Sequence, residues 1–529
     1  MTQPNDQNTA RGKDRHSGHK ETFDQIVLML ILAFSFRVFV VEAFVIPTGS
    51  MAPTLMGAHS RYVCDNCGYH YDVNFPPQRT SSTDISIPRM AGVEHKVFCP
   101  NCGYRAQDDQ ALNPRIYYGD RILVNKFIYL LQAPKRWDVI VFKTPSEPQT
   151  YHYSQAYIKR LVGKPGEQIM ILDGDIYVAT KPNPVNSDWQ IQTKPDHVQN
   201  ALWRIINDTD HAPLGLTPAG SLDPMTAQDY IPWKPSEDGG WKVSRDATGA
   251  RALLFSNPNG EGSVRFDPSV GHAKRSLTDF VAYDQYPGQG FLSPVGDLKL
   301  SFFYTRSAGG GPLELSLSRN HDLFIARIEA DHVKLFRATL GNPAQRTLLA
   351  DVPHRFGNAP VRIDFMNLDF RVRLLADGKE LFATTPAQYA PDVAQLKAQF
   401  TRPVLASVGI SAQSQVCSIT HLSLWRDIYY TNATADGSPV YRGTPNNPVK
   451  LGPGEYFALG DNSPLSGDGR LWRESVFLPA EDIDAQAGVV PERFLLGKAV
   501  MVYWPAGYRL YLDDAPDLIP NFGEMRFIH

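Results

Sequence analysis

The chain has 529 residues, with 52 lysines and arginines against 55 aspartates and glutamates and a formal net charge of −3. That length exceeds one ordinary hydrophobic core, so two or three domains are expected. The balanced charge leaves no basic footprint and argues against nucleic acid as a partner, while 41 prolines and 40 glycines point to a turn-rich, mainly β interior.

Residues 1–22 form a polar, basic tail with nothing to bury. Residues 23–46, FDQIVLMLILAFSFRVFVVEAFVI, turn apolar over a length that suits a transmembrane helix crossing about 30 Å of hydrocarbon. Arg37 and Glu42 interrupt its outer half, so Arg37 must snorkel or face protein. A cleaved signal peptide has a similar profile, but here the run enters a structured IPTGSM turn and not a flexible cleavage linker. An uncleaved anchor is the reading, with lipid around it, the basic tail cytoplasmic and the rest of the chain on the outer side.

Directly after the run comes VIPTGSMAPTL, Val45 to Leu55. Pro47 and Pro53 stiffen this turn and Gly49 admits close approach by another segment. Ser50 is therefore presented as a nucleophile or is a residue of an ordinary loop, and the motif alone does not separate the two.

Cys64 and Cys67 in YVCDNCGYH, then Cys99 and Cys102 in VFCPNCGYR, make two CxxCG knuckles within residues 61–105. Four such thiols suit a closed tetrahedral site for structural zinc, a small zinc-ribbon-like insertion. Outside the cytoplasm the same cysteines could instead pair as disulfides. Cys417, alone in SQVCSITHL, reads as a buried strand cysteine.

A nucleophilic serine needs a base, and none of the 14 histidines stands in a triad setting. The alternative is a lysine held neutral by burial, which must lower its pKa by about three units. Lys159, in AYIKRLVGKPGEQI, has the apolar neighbours and the strand pattern, although a strand lysine is more often solvated.

Between about residues 180 and 448 the chain alternates apolar and polar residues: DLKLSFFYTR, PLELSLSR, DLFIARIEA, HVKLFRAT, APVRIDFMN, DFRVRLLADGKELFAT and VLASVGISA. Ala376-Asp377-Gly378 reads as a hairpin turn. A β-sandwich over 221–431 is expected. It is similar, through VRIDFMNLDFRVRLLADGKELF and SITHLSLWRDIYYT, to the concanavalin-like jelly rolls of laminin-G and glycan-handling modules. That likeness implies a glycan or protein ligand. No carboxylate pair for glycoside cleavage stands out, and Trp203, Trp233, Trp241 and Trp425 read as core more readily than as sugar platforms.

Four blocks in order, VIPTGSMAPTL, GDRILVNKFIYLLQAPKRWDVIVFKTP, YIKRLVGKPGE and YFALGDNSPLSGDGRLW, together with the amino-terminal apolar run, resemble bacterial signal peptidase I. The resemblance covers about half the chain and implies a discontinuous β catalytic domain, 47–180 and 449–529, that needs no cofactor for catalysis. It implies Ser50 as nucleophile and Lys159 as general base. Thr48 would complete the oxyanion hole, Ser466 orient the lysine, and Asp468 and Arg470 form a charged pair behind them. Ile46, Pro47, Met51, Leu55, Tyr157 and Ile158 would line shallow pockets for signal peptides of preproteins, and the setting would be the outer, periplasmic side of a bacterial plasma membrane. The block from Gly460 departs from the family's GDNRDNSxDSRxWG at Ser463, Pro464, Leu465, Gly469 and Arg473, and Trp137 stands where the family has glycine. Two rivals remain. One is a non-catalytic membrane scaffold carrying the ribbon and sandwich as binding parts; the other is a self-cleaving repressor-type protease with the same dyad, which lacks the anchor and the GDN block.

Overall fold

The computed structural model describes residues 21–31, 41–76, 78–79, 85–86, 96–106, 114–143, 156–213, 231–245, 251–269, 277–285, 290, 292–399, 404–479, 483–507 and 521–529. The fold is mainly β. Residues 21–31 form an exposed helix, and among the described residues no helix is long and apolar enough to cross a membrane. Residues 1–20 and 32–40 lie outside the description. The expected helix over 23–46 needs correction at its far end, because Val41–Val45 is a strand paired antiparallel with Arg121–Asn125. β-branched and aromatic side chains fit a pleated surface, and the ladder takes up the backbone groups a helix would have satisfied internally.

One sheet carries both halves of the discontinuous domain. Its strands run in the order Val41–Val45, Arg121–Asn125, Leu495–Trp504, Val139–Lys143, Ala156–Gly163, Glu455–Leu459 and Val490–Pro491, with Arg526–Phe527 also pairing Leu495–Trp504. Strand Val139–Lys143 is buried on both faces, as its period of two predicts. Val139 and Val141 enter a cluster with Ile46, Met51, Leu55 and Ile122, while Ile140 and Phe142 enter another with Leu161, Phe457 and Trp472. A second sheet, ordered Gln190–Ile191, Asp175–Ala179, Gln168–Leu172 and Val449–Lys450, closes where the chain leaves for the insertion and returns.

The insertion is built on Val408–Arg426, a 19-residue strand. It pairs with Leu298–Gly309, Leu313–Arg319, Arg251–Phe266 and Arg204–Asp208. The last of these puts the start of this sheet well before residue 221. Asp377 (φ 47°) and Gly378 (φ 77°) form the expected tight hairpin between Arg371–Ala376 and Lys379–Ala383, with both central residues left-handed as a type I′ turn requires. Trp233 and Trp241 are buried in the core, Trp203 is nearly closed off beside a half-buried Trp425, and Cys417 is buried within the long strand. Met170, Leu172 and Tyr177 of the second sheet share the sandwich core, so the insertion is packed against the domain that carries it.

Polar groups seal that joint. Arg319 reaches Asp175 at 2.6 Å, Asp173 at 3.2 Å and Asp297. Lys194 holds Asp427 at 2.8 Å and Asp369 at 3.1 Å.

Candidate active site

The VIPTGSMAPTL segment folds as sequence chemistry dictates. Thr48 is extended, Gly49–Met51 make one tight turn, and Ala52 N–H closes it on Gly49 O at 3.0 Å. A side chain at position 49 would meet the Tyr283 ring at 2.2 Å, so glycine is required there by close approach. The turn is held from the other half of the domain: Asn462 N–H donates to Ser50 O at 3.1 Å and Asn462 Nδ2 donates to Gly49 O at 3.0 Å.

Lys159 stands on strand Ala156–Gly163 and is 5 % exposed. Its Nζ donates to Ser50 Oγ at 2.8 Å and to Ile158 O at 2.8 Å. Burial pulls the ammonium down from 10.5 to about 8, against the opposing pull of the Asp468 and Asp461 carboxylates and with a small push from Arg470. A serine hydroxyl and an amine near its neutral form are thus brought together across 109 residues of sequence.

Behind them lie two buried ion pairs. Arg160 grips Asp461 with two bonds of 2.7 Å and also donates to Trp137 O and His529 O, each at 2.8 Å. Arg470 holds Asp468 at 2.8 and 2.7 Å and donates to Thr431 O and to Ser463 Oγ. Asp468 accepts from Gly460 N–H at 3.0 Å. Gly460 must be glycine, since a Cβ there would come within 2.4 Å of Ser50 O and 2.2 Å of Ser466 Oγ.

The other residues singled out from sequence divide. Thr48 is exposed beside the nucleophile. Pro47, Tyr157 and Ile158 are half-buried, with the Tyr157 ring edge-on to Phe142 at 6.3 Å. Met51 and Leu55 are 0 % exposed and Ile46 3 %, so these three form the floor under the turn and present no surface to a ligand. Ser466 Oγ is buried and has no hydrogen-bond partner among the described residues; in place of the expected bond to Ser466, Lys159 donates to the Ile158 carbonyl. Sequence reading passed over Arg160, and it passed over Tyr283 and Asp284 of the insertion. The only cue to Arg160 was its place beside Lys159, opposite an acidic block.

The four knuckle cysteines converge as well. All four Sγ atoms lie within 4.8 Å of one another, with Cys64–Cys102 and Cys67–Cys99 at 3.6 Å. Gly68 (φ 70°) and Gly103 (φ 73°) donate N–H to Cys64 O and Cys99 O, so the two knuckles share one geometry. A metal at about 2.3 Å from four sulfurs sets an edge of about 3.8 Å, close to the Cys64–Cys102 and Cys67–Cys99 separations and well beyond a disulfide bond.

A hydroxyl nucleophile candidate against a buried amine, on a β scaffold assembled from two distant segments, is the layout of a hydrolase of the serine type. Residues 103–220 and 426–504 match the family described as "Signal peptidase, peptidase S26". The matched segments include Lys159 and the GDN block, while Ser50 lies upstream of them. The chain is 30 % identical to the probable signal peptidase I-2 of Synechocystis over 71 residues, 13 % of this chain and 33 % of that protein. It is 25 % identical to signal peptidase I of Rickettsia bellii over 158 residues, 30 % of this chain and 39 % of that one. The chain thus spans between a third and two-fifths of the length of these relatives. Among solved structures it is similar to a carbohydrate binding module from Bacillus subtilis, at 12 % identity, covering 36 % of this chain and 94 % of that one with a TM-score of 0.23.

Proposed function

We propose that the chain is a membrane-anchored serine endopeptidase that removes amino-terminal signal peptides from exported preproteins through a Ser50–Lys159 dyad. The observation that carries this reading is the 2.8 Å contact of Lys159 Nζ with Ser50 Oγ at an amine whose pKa burial lowers to about 8. Neutral Lys159 takes the hydroxyl proton as Ser50 Oγ attacks the scissile carbonyl carbon. Ser50 N–H and the Thr48 hydroxyl receive the developing oxyanion. The ammonium then protonates the departing amine, leaving an ester on Ser50. Neutral again, Lys159 draws a proton from water, the hydroxide displaces the ester, and serine regains its proton.

The half-buried edge at Pro47, Tyr157 and Ile158 leaves room for an extended peptide with small side chains, paired to strand edges. The apolar run upstream of Val41, shortened by the strand found there, anchors the chain in a bacterial plasma membrane with the catalytic domain on the outer side. Structural zinc in the Cys64, Cys67, Cys99 and Cys102 cage rigidifies the ribbon and supplies no catalytic chemistry, because four thiolates leave no open position. The test is processing of a model preprotein by the full chain, Ser50→Ala and Lys159→Ala. Cleavage by the wild type alone is expected. Cleavage by Ser50→Ala, or none by the wild type, rejects the enzyme reading and leaves a scaffold.

A further inference from the structure

Three consecutive residues of the insertion, Tyr283, Asp284 and Gln285, touch three other parts of the molecule. The Tyr283 ring lies against Gly49 and its hydroxyl donates to Ala58 O at 3.2 Å. Gln285 exchanges two bonds with the backbone of Phe98, beside Cys99, at 2.7 and 2.8 Å. Asp284, 0 % exposed, accepts from Asn462 Nδ2 at 2.7 Å through Oδ1. The same Asn462 nitrogen donates its second proton to Gly49 O.

That nitrogen is fully used, and the consequence is orientation. Either end of an amide side chain can face a neighbour, and only the hydrogen-bond network decides which. Flipped, Asn462 would set its own oxygen against Gly49 O and push the turn away. Asp284 prevents this by offering an acceptor that only the nitrogen end can satisfy. We propose that Asp284 is a positioning residue for the nucleophile: through Asn462 it fixes the Gly49 carbonyl and with it the orientation of Ser50. The inference rests on the peptidase reading, and it gives the insertion a part in catalysis that sandwich-fold likeness does not.

The charged and titratable groups around Asp284 are Asp279, Arg426 and Tyr283. Burial pushes its carboxyl up to about 7, Asn462 pulls it down, Asp279 adds to the rise and Arg426 opposes it. When the carboxyl is neutral with its proton on Oδ2, Oδ1 still accepts from Asn462, so the contact itself does not need the charge.

The experiment compares Asp284→Leu, which has the shape without the acceptor, with Asp284→Asn, which keeps an acceptor oxygen. Both are made in the full chain and assayed on a model preprotein, and amide exchange of residues 48–52 is followed in parallel. Asp284→Leu should lose about 10- to 100-fold in kcat with KM changed less than about two-fold, as for a misplaced reacting group. Exchange at 48–52 should accelerate in the same variant. Asp284→Asn should restore both readouts, and the rise of activity through pH 8 should keep its midpoint in both variants. Wild-type kcat in Asp284→Leu, equal losses in both variants, or unchanged exchange in Asp284→Leu each overturn the proposal. If the wild type cleaves no preprotein the peptidase reading fails, while the exchange comparison still decides whether Asp284 orders the turn.

Discussion

Arg160 sits next to Lys159 on the same strand, yet it points to the opposite face and holds Asp461 through two 2.7 Å bonds in complete exclusion of water. The Arg160 charge thus offsets part of the field of a carboxylate that still raises the lysine's proton affinity from nearby. Replacing Arg160 by methionine leaves that charge buried alone, which costs about 3–5 kcal/mol. Freed of its partner, Asp461 also favours the ammonium form of Lys159. Arg160→Met should thus unfold at lower denaturant, and the surviving folded fraction should show its activity midpoint moved to higher pH. Urea titration and a pH–rate profile measure the two effects separately.

The pH dependence of the wild type follows from the same amine. A general base works only when unprotonated, so activity should rise with pH through about 8 and fall away below it. Near pH 7 roughly one molecule in ten carries the neutral amine. Stability has a matching sign. With a folded pKa of about 8 against 10.5 unfolded, the unfolded state binds more protons between those values, so stability climbs as pH rises from 8 to 10.5 and the full penalty applies below 8. Lys159→Met should abolish cleavage while stabilising the fold by about 3 kcal/mol at pH 7. A variant that is inactive and less stable would contradict the account of burial as the source of the shift.

How much of this was legible beforehand depended on how local the chemistry is. Ser50, Lys159 and the GDN block could be singled out only through four blocks standing in one order, because neither the serine turn nor the lysine strand alone separates a reactive residue from an ordinary one. The cysteine knuckles were legible from their own motif, since Gly68 and Gly103 must follow at fixed spacing to turn the chain. The boundary of the apolar run was not. Val41, Phe44 and Val45 continue the hydrophobic run, and a buried strand and a helix segment look alike over so few residues. Tyr283, Asp284 and Gln285 gave no signal either, because their hydrogen-bond partners lie 178 to 225 residues away in sequence and not in any local period. The Trp137 anomaly was visible, but its meaning was not: the residue lies at φ 76°, a conformation glycine adopts freely, and the backbone there donates to Leu161 O and accepts from Arg160.

Trp137 invites a test in which two effects oppose. Substituting glycine relieves a left-handed backbone worth about 1–2 kcal/mol, yet removes an indole that is 4 % exposed and donates from Nε1 to Thr193 O at 3.1 Å. Truncating a buried aromatic costs about 3–5 kcal/mol. The second effect is larger, so Trp137→Gly should lose about 2–3 kcal/mol net, seen as a lower midpoint in urea with an unchanged slope. A gain in stability would mean the indole packs less well than its burial indicates.

The cysteine cage yields a prediction in which the metal and disulfide outcomes part cleanly. Purified under reducing conditions, the chain should carry close to one zinc by elemental analysis, and Cys99→Ser should lose most of it. Chelation should lower the melting temperature of the wild type and leave Cys99→Ser unaffected. Because Gln285 bonds Phe98 beside Cys99, metal loss should also speed amide exchange at residues 282–285. Four free thiols with no metal, or two disulfides by mass, would rule the cage out.

Arg319 is the remaining group on which two domains depend. Its guanidinium, 1 % exposed, meets Asp173 and Asp175 from the second sheet and Asp297 from the insertion, with the Phe370 ring 3.9 Å from its centre. Burial pushes the Asp173 and Asp297 carboxyls upward while Arg319 pulls them down. Arg319→Met removes the counter-charge that Asp173, Asp175 and Asp297 share, so they must either stay ionised with less compensation or take up protons. The expected cost is about 3–5 kcal/mol at pH 7. Its sign with pH is fixed by linkage: carboxyls raised in the folded state bind protons there that the unfolded chain releases, so the deficit should shrink on acidification toward pH 5 and grow as pH rises. Arg319→Lys keeps the charge but not the fork that spans three carboxylates, and it should fall between the two. Thermal unfolding of all three proteins at pH 5 and pH 7 reads this directly, and equal deficits for Arg319→Met at both values would show that lost packing on Phe370, not lost charge, sets the cost.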